Sequence, residues 1–343
     1  MNNRVLEEDV QLFAEHFELW EQLKGKTFLI TGATGLIGSV MIKCLLELNK
    51  QRHLGIKVLA AVRNLEKANF LFGQNEEDLQ ILQIDLKDVN ANTIGQKVDY
   101  VIHLASPTAS KYFVEHPVET IRTSIEGTAS VLEYVKNTNV EAMLFASSLE
   151  VYGSNSDDQL IEESYQGYLN PIEVRSSYNM GKRAAECLCH AYSEEYGIPV
   201  KIARLTQTTG AGVAQDDNRV IVQFARLAAE GRDIILHTTG ESARPYCYTT
   251  DAVSAILYIL LKGQNGQPYN VANEDSYISA HDMAYYLKKN FNSGISVCIE
   301  LNDHMGYAPV SKLYLSTQKI KSLGWQPRYG LKDIFSRLIS YMK

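Results

Sequence analysis

Three stretches of this sequence read Tyr-x-x-x-Lys, at 178–182, 258–262 and 285–289. On a helix that spacing puts both side chains on one face. An ammonium near a phenol favours the phenolate. At about 4 Å and an effective dielectric of about 20, the attraction is roughly 4 kcal/mol. That is about three pKa units, enough to bring a phenol near neutrality. Such a tyrosine can take a hydroxyl proton while hydride leaves the same carbon. Tyr178 with Lys182 is set apart by what precedes it. The stretch Ser147-Ser148-Leu149-Glu150 closes an apolar strand and delivers a hydroxyl and a carboxylate to the carboxyl edge of a sheet, where open α/β folds bind ligands. Ser148 is placed to share one substrate oxygen with Tyr178.

A hydride needs an acceptor, and the run Gly32-Ala33-Thr34-Gly35-Leu36-Ile37-Gly38 supplies a place for one. It directly follows a strand and opens a helix. Glycines there permit a tight turn, close backbone approach to a pyrophosphate and tight helix–strand packing, and the helix start offers its amides to phosphate. A nicotinamide dinucleotide is the cofactor expected, with Thr34, Leu36 and Ile37 completing the loop. The second strand ends in Arg63, where an acid would bind the adenosine ribose of NAD. An arginine suits a 2′-phosphate and points to NADP. Asp85 and Leu86, after the third strand, are expected at the adenine. Leu104, Ala105 and Ser106, after the fourth, are expected to line the path to the nicotinamide.

Strands are expected at 27–31, 57–62, 79–84, 99–105, 141–147 and 200–205. Helices are expected at about 35–48, 117–136, 177–196, 251–262, 280–291 and 331–342. Alternation of this kind means parallel β-α-β units. The fold class expected is α/β, a Rossmann-type doubly wound parallel sheet with a smaller, mostly C-terminal α/β substrate-binding domain. The expected division is a dinucleotide-binding domain at 26–206, with 245–272 returning to it, and a substrate domain at 207–244 and 273–343. Residues 1–25 stand apart. Leu6, Val10, Phe13, Phe17 and Trp20 recur at helical spacing, opposite an acidic face of Glu7, Glu8, Asp9, Glu15 and Glu18. That helix is expected to pack on its own domain or on a dimer partner.

With these residues in place the chain resembles the extended short-chain dehydrogenases/reductases (the NAD-dependent epimerase/dehydratase group). Within them it resembles most the UDP-glucuronate decarboxylases, from about residue 26 to the C-terminus. The resemblance rests on HLASPTASKYFVEHPVET from His103, SSLEVYG from Ser147 and YQGYLNPIEVRSSYNMGKRAAE from Tyr165. DNRVIVQF from Asp217 and RPYCYTTDA from Arg244 add to it. It implies oxidation of a nucleotide-linked sugar at C4, loss of carbon dioxide from the β-keto acid, and return of the hydride. By position, Tyr178 is then the base, Lys182 its partner and Ser148 a second contact to O4. Glu150 and Arg244 face the sugar's C5 substituent, Arg219 and Val220 lie near the nucleotide or its diphosphate, and Pro107 lines the substrate side. Relatives that eliminate water carry an acid where this chain has Leu149, which weighs against dehydration. Relatives have an asparagine for the diphosphate where this chain has Gln207, and an asparagine supporting the tyrosine where it has Ser124.

Composition sets the outer limits. The net charge of −7 over 343 residues provides no global field for nucleic acid or anionic lipid. The longest apolar run, 252–261, is too short for a bilayer. Five cysteines, at 44, 187, 189, 247 and 298, form no Cys-x-x-Cys pair, and neither they nor His190, His237 and His281 have metal-ligand spacing. A cytoplasmic protein is expected, and the family resemblance implies a homodimer whose contact is made by helices 117–136 and 177–196. No metal, nucleic acid or membrane partner is expected. Two rival readings are an NADPH-dependent reductase or 4-epimerase of another nucleotide-linked sugar, and a dinucleotide sensor without turnover.

Overall fold

Strands buried on both faces read as near-continuous apolar runs, and that pattern places the central strands here. The computed structural model describes residues 3–73, 76–302 and 310–343. Its strands begin with β1 (Thr27–Thr31), β2 (Lys57–Val62), β3 (Leu79–Gln83), β4 (Tyr100–His103) and β5 (Ala142–Ser148). They continue with β6 (Leu160–Ile161), β7 (Val200–Leu205), β8 (Gln207–Thr209), β9 (Ile234–Leu236) and β10 (Ala243–Tyr248). The last are β11 (Pro268–Val271), β12 (Asn273–Ser279), β13 (Val297–Ile299) and β14 (Tyr314–Leu315). The helices begin with α1 (Asn3–His16), α2 (Leu36–Arg52), α3 (Leu65–Phe72), α4 (Ala91–Ile94), α5 (Ser110–Glu115) and α6 (Pro117–Lys136). They continue with α7 (Ser176–Tyr196), α8 (Val220–Glu230), α9 (Thr249–Lys262), α10 (Ala280–Asn290), α11 (Gln318–Lys321) and α12 (Leu331–Met342).

Seven strands form one parallel sheet in the order β11-β7-β5-β4-β1-β2-β3. Side chains alternate across it. Phe28, Ile30, Val58, Ile102 and Leu144 join a core with α1, α2 and α9. Leu29, Leu59, Val101, Met143 and Phe145 join a second core on the opposite face, with α6 and α7. Helices therefore cover both faces, as a parallel sheet requires. Strand order reverses direction between β1 and β4, and a crevice opens at such a switch point. The expected doubly wound α/β fold is what the chain adopts. A three-stranded sheet, β12-β10-β8, stands beside it, and a third core gathers β10 with α8, α10 and α12.

The helix α1 packs on its own chain, with Val10, Phe13, Ala14 and Phe17 in the first core. One residue departs from its expected face. Asp9 is 1 % exposed, because its carboxylate takes the Tyr248 hydroxyl and pairs with Arg337 at 2.6 Å. A buried ion pair and a phenol overrule the helical pattern there.

Asp251, in the first turn of α9, is 2 % exposed and accepts the backbone N–H groups of Arg328 and Tyr329 at 3.1 and 3.0 Å. Burial outweighs those bonds and pushes its carboxyl up to about 7. Stability from a raised carboxyl is full below the ordinary value and is lost as pH rises through the raised one. Asp251→Asn is therefore expected to gain on the parent as pH rises from about 4 to about 8, by on the order of 4 kcal/mol. Denaturant melts across that range check this. A difference independent of pH contradicts it.

Candidate active site

β5 ends on Ser148 and the chain turns at once into a short 3-10 turn, Leu149–Tyr152. The Ser148 hydroxyl caps that turn by accepting the Glu150 N–H at 3.2 Å. Ser148 and Glu150 thus stand on one rim of the sheet. Leu149, between them, points the other way into an apolar cluster with Tyr152, Ile161 and Leu315. α7 lies across β5 and β7, anchored by Glu186, which pairs with Arg204 of β7 at 2.7 Å in a buried contact. Losing one partner of such a pair leaves a buried charge, so the helix is firmly seated.

That seating brings Tyr178 to the rim, where its hydroxyl lies near that of Ser148. Burial, opposed by the Ser148 hydroxyl and aided by the Glu150 carboxylate, pushes the phenol up to about 12. Lys182 is directed away from the phenol. Its ammonium donates to the Ala146 carbonyl at 2.7 Å and lies 4.7 Å from the centre of the Phe145 ring. Burial lowers it to about 8. The i,i+4 spacing gives the two residues a common face, but the lysine stem turns toward β5, so Lys182 does not pair with the phenol. Burial, with the Lys182 charge nearby, holds His103 down to about 3, and that ring bonds the Thr31 and Thr128 hydroxyls.

Around Glu150 three groups converge. Asn179 donates to its Oε2 at 3.4 Å, Arg244 approaches its Oε1 to 3.8 Å, and Tyr178 lies within its field. Arg244 sits on β10 just before a register shift against β12. Next along β10, Tyr246 faces Gln207 of β8 and feels the charges of both Arg244 and Arg219. Arg219 caps the start of α8, paired with Asp217 at 2.6 Å and donating to the Thr208 carbonyl at 2.5 Å. Val220 follows it, partly exposed. Ser148, Glu150, Tyr178 and Arg244 are therefore gathered, and Gln207 and Arg219 continue along the neighbouring sheet.

At the crevice between β1 and β4, Gly32 holds φ +68°, and a Cβ there would fall 2.7 Å from the Ala105 nitrogen and 2.8 Å from the Leu104 carbonyl carbon. A Cβ on Gly38 would fall 2.4 Å from the Gly32 oxygen. Gly35 begins α2 exposed and without a side-chain cap, leaving the first amides free. This is a backbone cradle of the kind a pyrophosphate fits. Thr34 is half-buried above it, while Leu36 and Ile37 pack inward. Ser106 donates to the Pro107 carbonyl at 3.1 Å on the facing loop. Toward the other end, Arg63 and Asp85 are exposed, and Asp85 caps a turn by accepting the Lys87 N–H. Leu86 packs on Gly127 of α6. Ser124 is buried. It donates to the Thr120 carbonyl of its own helix and sits against Gly181, spacing α6 from α7.

Two neighbours of the catalytic set escaped the sequence reading. Phe113 of α5 stacks on Tyr178 with ring centres 4.3 Å apart and planes 7° from parallel. It is buried and keeps water from one face of the phenol. Asn179 holds Glu150. Phe113 lies in a six-residue helix with no period to read, and Asn179 is hidden inside the Tyr-x-x-x-Lys itself. Among the described residues, no group of His, Cys, Asp and Glu is arranged to hold a metal ion, and no helix is long and apolar enough to cross a membrane.

Known proteins match this arrangement. The model of the NAD dependent epimerase/dehydratase family matches residues 28–272. UDP-glucuronic acid decarboxylase 5 of Arabidopsis thaliana is 30% identical over 310 residues, 89% of this chain and 86% of that protein. UDP-glucuronic acid decarboxylase 1 of Xenopus tropicalis is 29% identical, covering 93% of this chain and 72% of that one. Among solved structures, UDP-glucose 4-epimerase of Thermotoga maritima superposes with TM-score 0.76 at 22% identity, over 92% of this chain and 98% of that one. The dTDP-glucose 4,6-dehydratase of Bacillus anthracis, in complex with NAD, superposes with TM-score 0.74 at 19% identity, over 92% and 96%. A parallel sheet with a glycine cradle at its switch point, a Ser-Tyr-Lys set at its carboxyl edge and a sequence match over most of its length lead to one assignment: the chain belongs to the NAD-dependent epimerase/dehydratase family of nucleotide-sugar enzymes.

Proposed function

We propose that this enzyme decarboxylates a nucleotide-linked sugar acid by transient oxidation at C4, with UDP-glucuronate the first substrate to test. The observation that carries the reading is Arg244 held at Glu150, beside the Ser148–Tyr178 hydroxyl pair. A guanidinium on that rim suits a sugar carboxylate. The names of the relatives at about 30% identity support it. Leu149 supports it from the other side. Its side chain is buried away from the rim, so no acid stands there to expel water.

A bound nicotinamide supplies reversible hydride exchange at one sugar carbon. Ser148 and Tyr178 hold O4, and Tyr178, having given its own proton to solvent in the loaded site, takes the O4 proton when C4 is oxidised. Lys182, already lowered by burial, keeps two N–H donors besides the one given to Ala146 to offer a bound cofactor. Arg244 and Glu150 orient the C5 carboxylate. The bond from C5 to that carboxyl breaks, carbon dioxide leaves, and the electron pair is held by the C4 carbonyl. A solvent proton takes the vacated position on C5. Tyr178 returns its proton as C4 is reduced again, so the nicotinamide shows no net change.

One observation favours a second reading, an NADPH-dependent reductase or 4-epimerase. Arg63 ends β2 exposed where a 2′-phosphate would arrive, and a net reductase uses NADP. In either case, residues 26–206 with 245–272 form the dinucleotide part, and 207–244 with 273–343 form the substrate part. Product analysis with UDP-glucuronate and each cofactor separates the two.

The active form is proposed to be a homodimer. Val118 of α6 is 65 % exposed and Ile172, just before α7, is 88 % exposed, and a groove between them is lined by Ile121, Val174 and Met180. An apolar strip on those two helices fits a second copy across a two-fold. Sedimentation equilibrium is expected to give twice the 38.5 kDa chain mass, and Val118→Asp the chain mass alone. A monomeric parent contradicts this.

A further inference from the structure

The helix α1 lies outside the catalytic rim, yet it touches two cores at once. Phe13 and Ala14 belong to the core of the main sheet, Val5 to the core around α8 and α12, and Leu6 packs against both. Its buried Asp9 accepts the Tyr248 hydroxyl and pairs with Arg337 of α12. The same Tyr248 oxygen accepts the Ala211 N–H at 3.3 Å. The turn around Ala211 has little freedom. A Cβ on Gly210 would fall 2.9 Å from the Tyr248 ring and 2.8 Å from the Thr249 hydroxyl. Gly212, at φ +99°, is roofed by Leu36 and Val40 of α2 and by Leu6 of α1. This turn joins β8, which carries Gln207, to Arg219, whose guanidinium reaches back to the Thr208 carbonyl.

We propose that α1 is a positioning element for the substrate loop: Asp9, through Tyr248, fixes the 210–213 turn against α2 and thereby sets Gln207 and Arg219 for the diphosphate of the substrate. This rests on the reading of that cleft as a nucleotide-sugar site. The device is indirect. Neither Asp9 nor Tyr248 meets substrate, and the glycine cradle does not depend on their hydrogen bond. Asp9 and Tyr248 are 239 residues apart in the chain, so the contact also ties the first helix to the start of α9.

The test uses the full chain and UDP and NAD as separate calorimetric probes. Tyr248→Phe keeps the ring packing and removes only the shared oxygen. It is expected to weaken UDP by about tenfold, the scale of one lost hydrogen bond to a charged group. NAD should stay within about twofold of the parent, and KM should rise while kcat changes little. Asp9→Asn, which keeps an acceptor for Tyr248, is expected to weaken UDP less than Asp9→Ala. If Asp9→Ala does not fold, Leu6→Ala removes the contact above Gly212 without uncovering a buried charge, and it too should weaken UDP alone. Folded Tyr248→Phe and Leu6→Ala proteins that bind UDP like the parent, or that weaken UDP and NAD equally, overturn the proposal. A parent that binds NAD but no UDP overturns the nucleotide-sugar reading itself.

Discussion

Tyr178→Phe is expected to lower turnover by about a thousandfold, within the range for loss of a positioned general acid–base. The substitution keeps the ring, its stack on Phe113 and its burial, and removes only the hydroxyl beside Ser148. Thermal stability should therefore move little while the chemical step fails. The phenol starts high, at about 12, because it is buried with the Glu150 carboxylate near. Proton transfer must then wait for a loaded site, and the ligand-free enzyme keeps its phenol protonated at neutral pH. Steady-state turnover of the variant checks this. Undiminished turnover would remove Tyr178 from the chemistry, and an unaltered cellular function would favour a sensor of dinucleotide over an enzyme.

Arg244→Leu is expected to lower kcat/KM for UDP-glucuronate by about a hundredfold, the scale of a charged hydrogen-bonding partner lost from a partly buried site. Two consequences combine. The C5 carboxylate loses its cation, and Glu150 loses its counter-charge while keeping the weaker Asn179 bond. UDP-glucose, whose sugar carries no carboxylate, used as a competitive inhibitor, should bind the variant within about threefold of the parent. That contrast isolates the carboxylate from general damage. Equal losses for both ligands would place Arg244 in the scaffold.

The legible parts of this protein are those that backbone geometry dictates locally. Gly32 and Gly38 could be read because nothing with a Cβ fits beside Ala105 or the Gly32 oxygen. Tyr178 could be picked from three copies of its motif because a strand ending in Ser148 must deliver that residue to the sheet edge. The other copies have structural duties. Tyr258 is buried in α9 and donates to Glu18, and Tyr285 lies partly exposed on α10. What could not be read depends on partners far apart in the chain or on side-chain direction. Spacing told that Tyr178 and Lys182 share a face but not that the ammonium would choose the Ala146 carbonyl. The hydropathy of α1 assigned Asp9 to water, and only Tyr248 and Arg337, brought in from the far end, explain its burial. Phe113 needed the fold to find Tyr178.

The most direct test of the account is mass spectrometry of UDP-glucuronate incubated with the purified enzyme, with NAD and with NADPH in separate reactions. Loss of carbon dioxide to a UDP-pentose is expected with NAD present, with no net change in the nicotinamide. A product heavier by two hydrogens at the expense of NADPH, or an unchanged sugar acid with either cofactor, would contradict it.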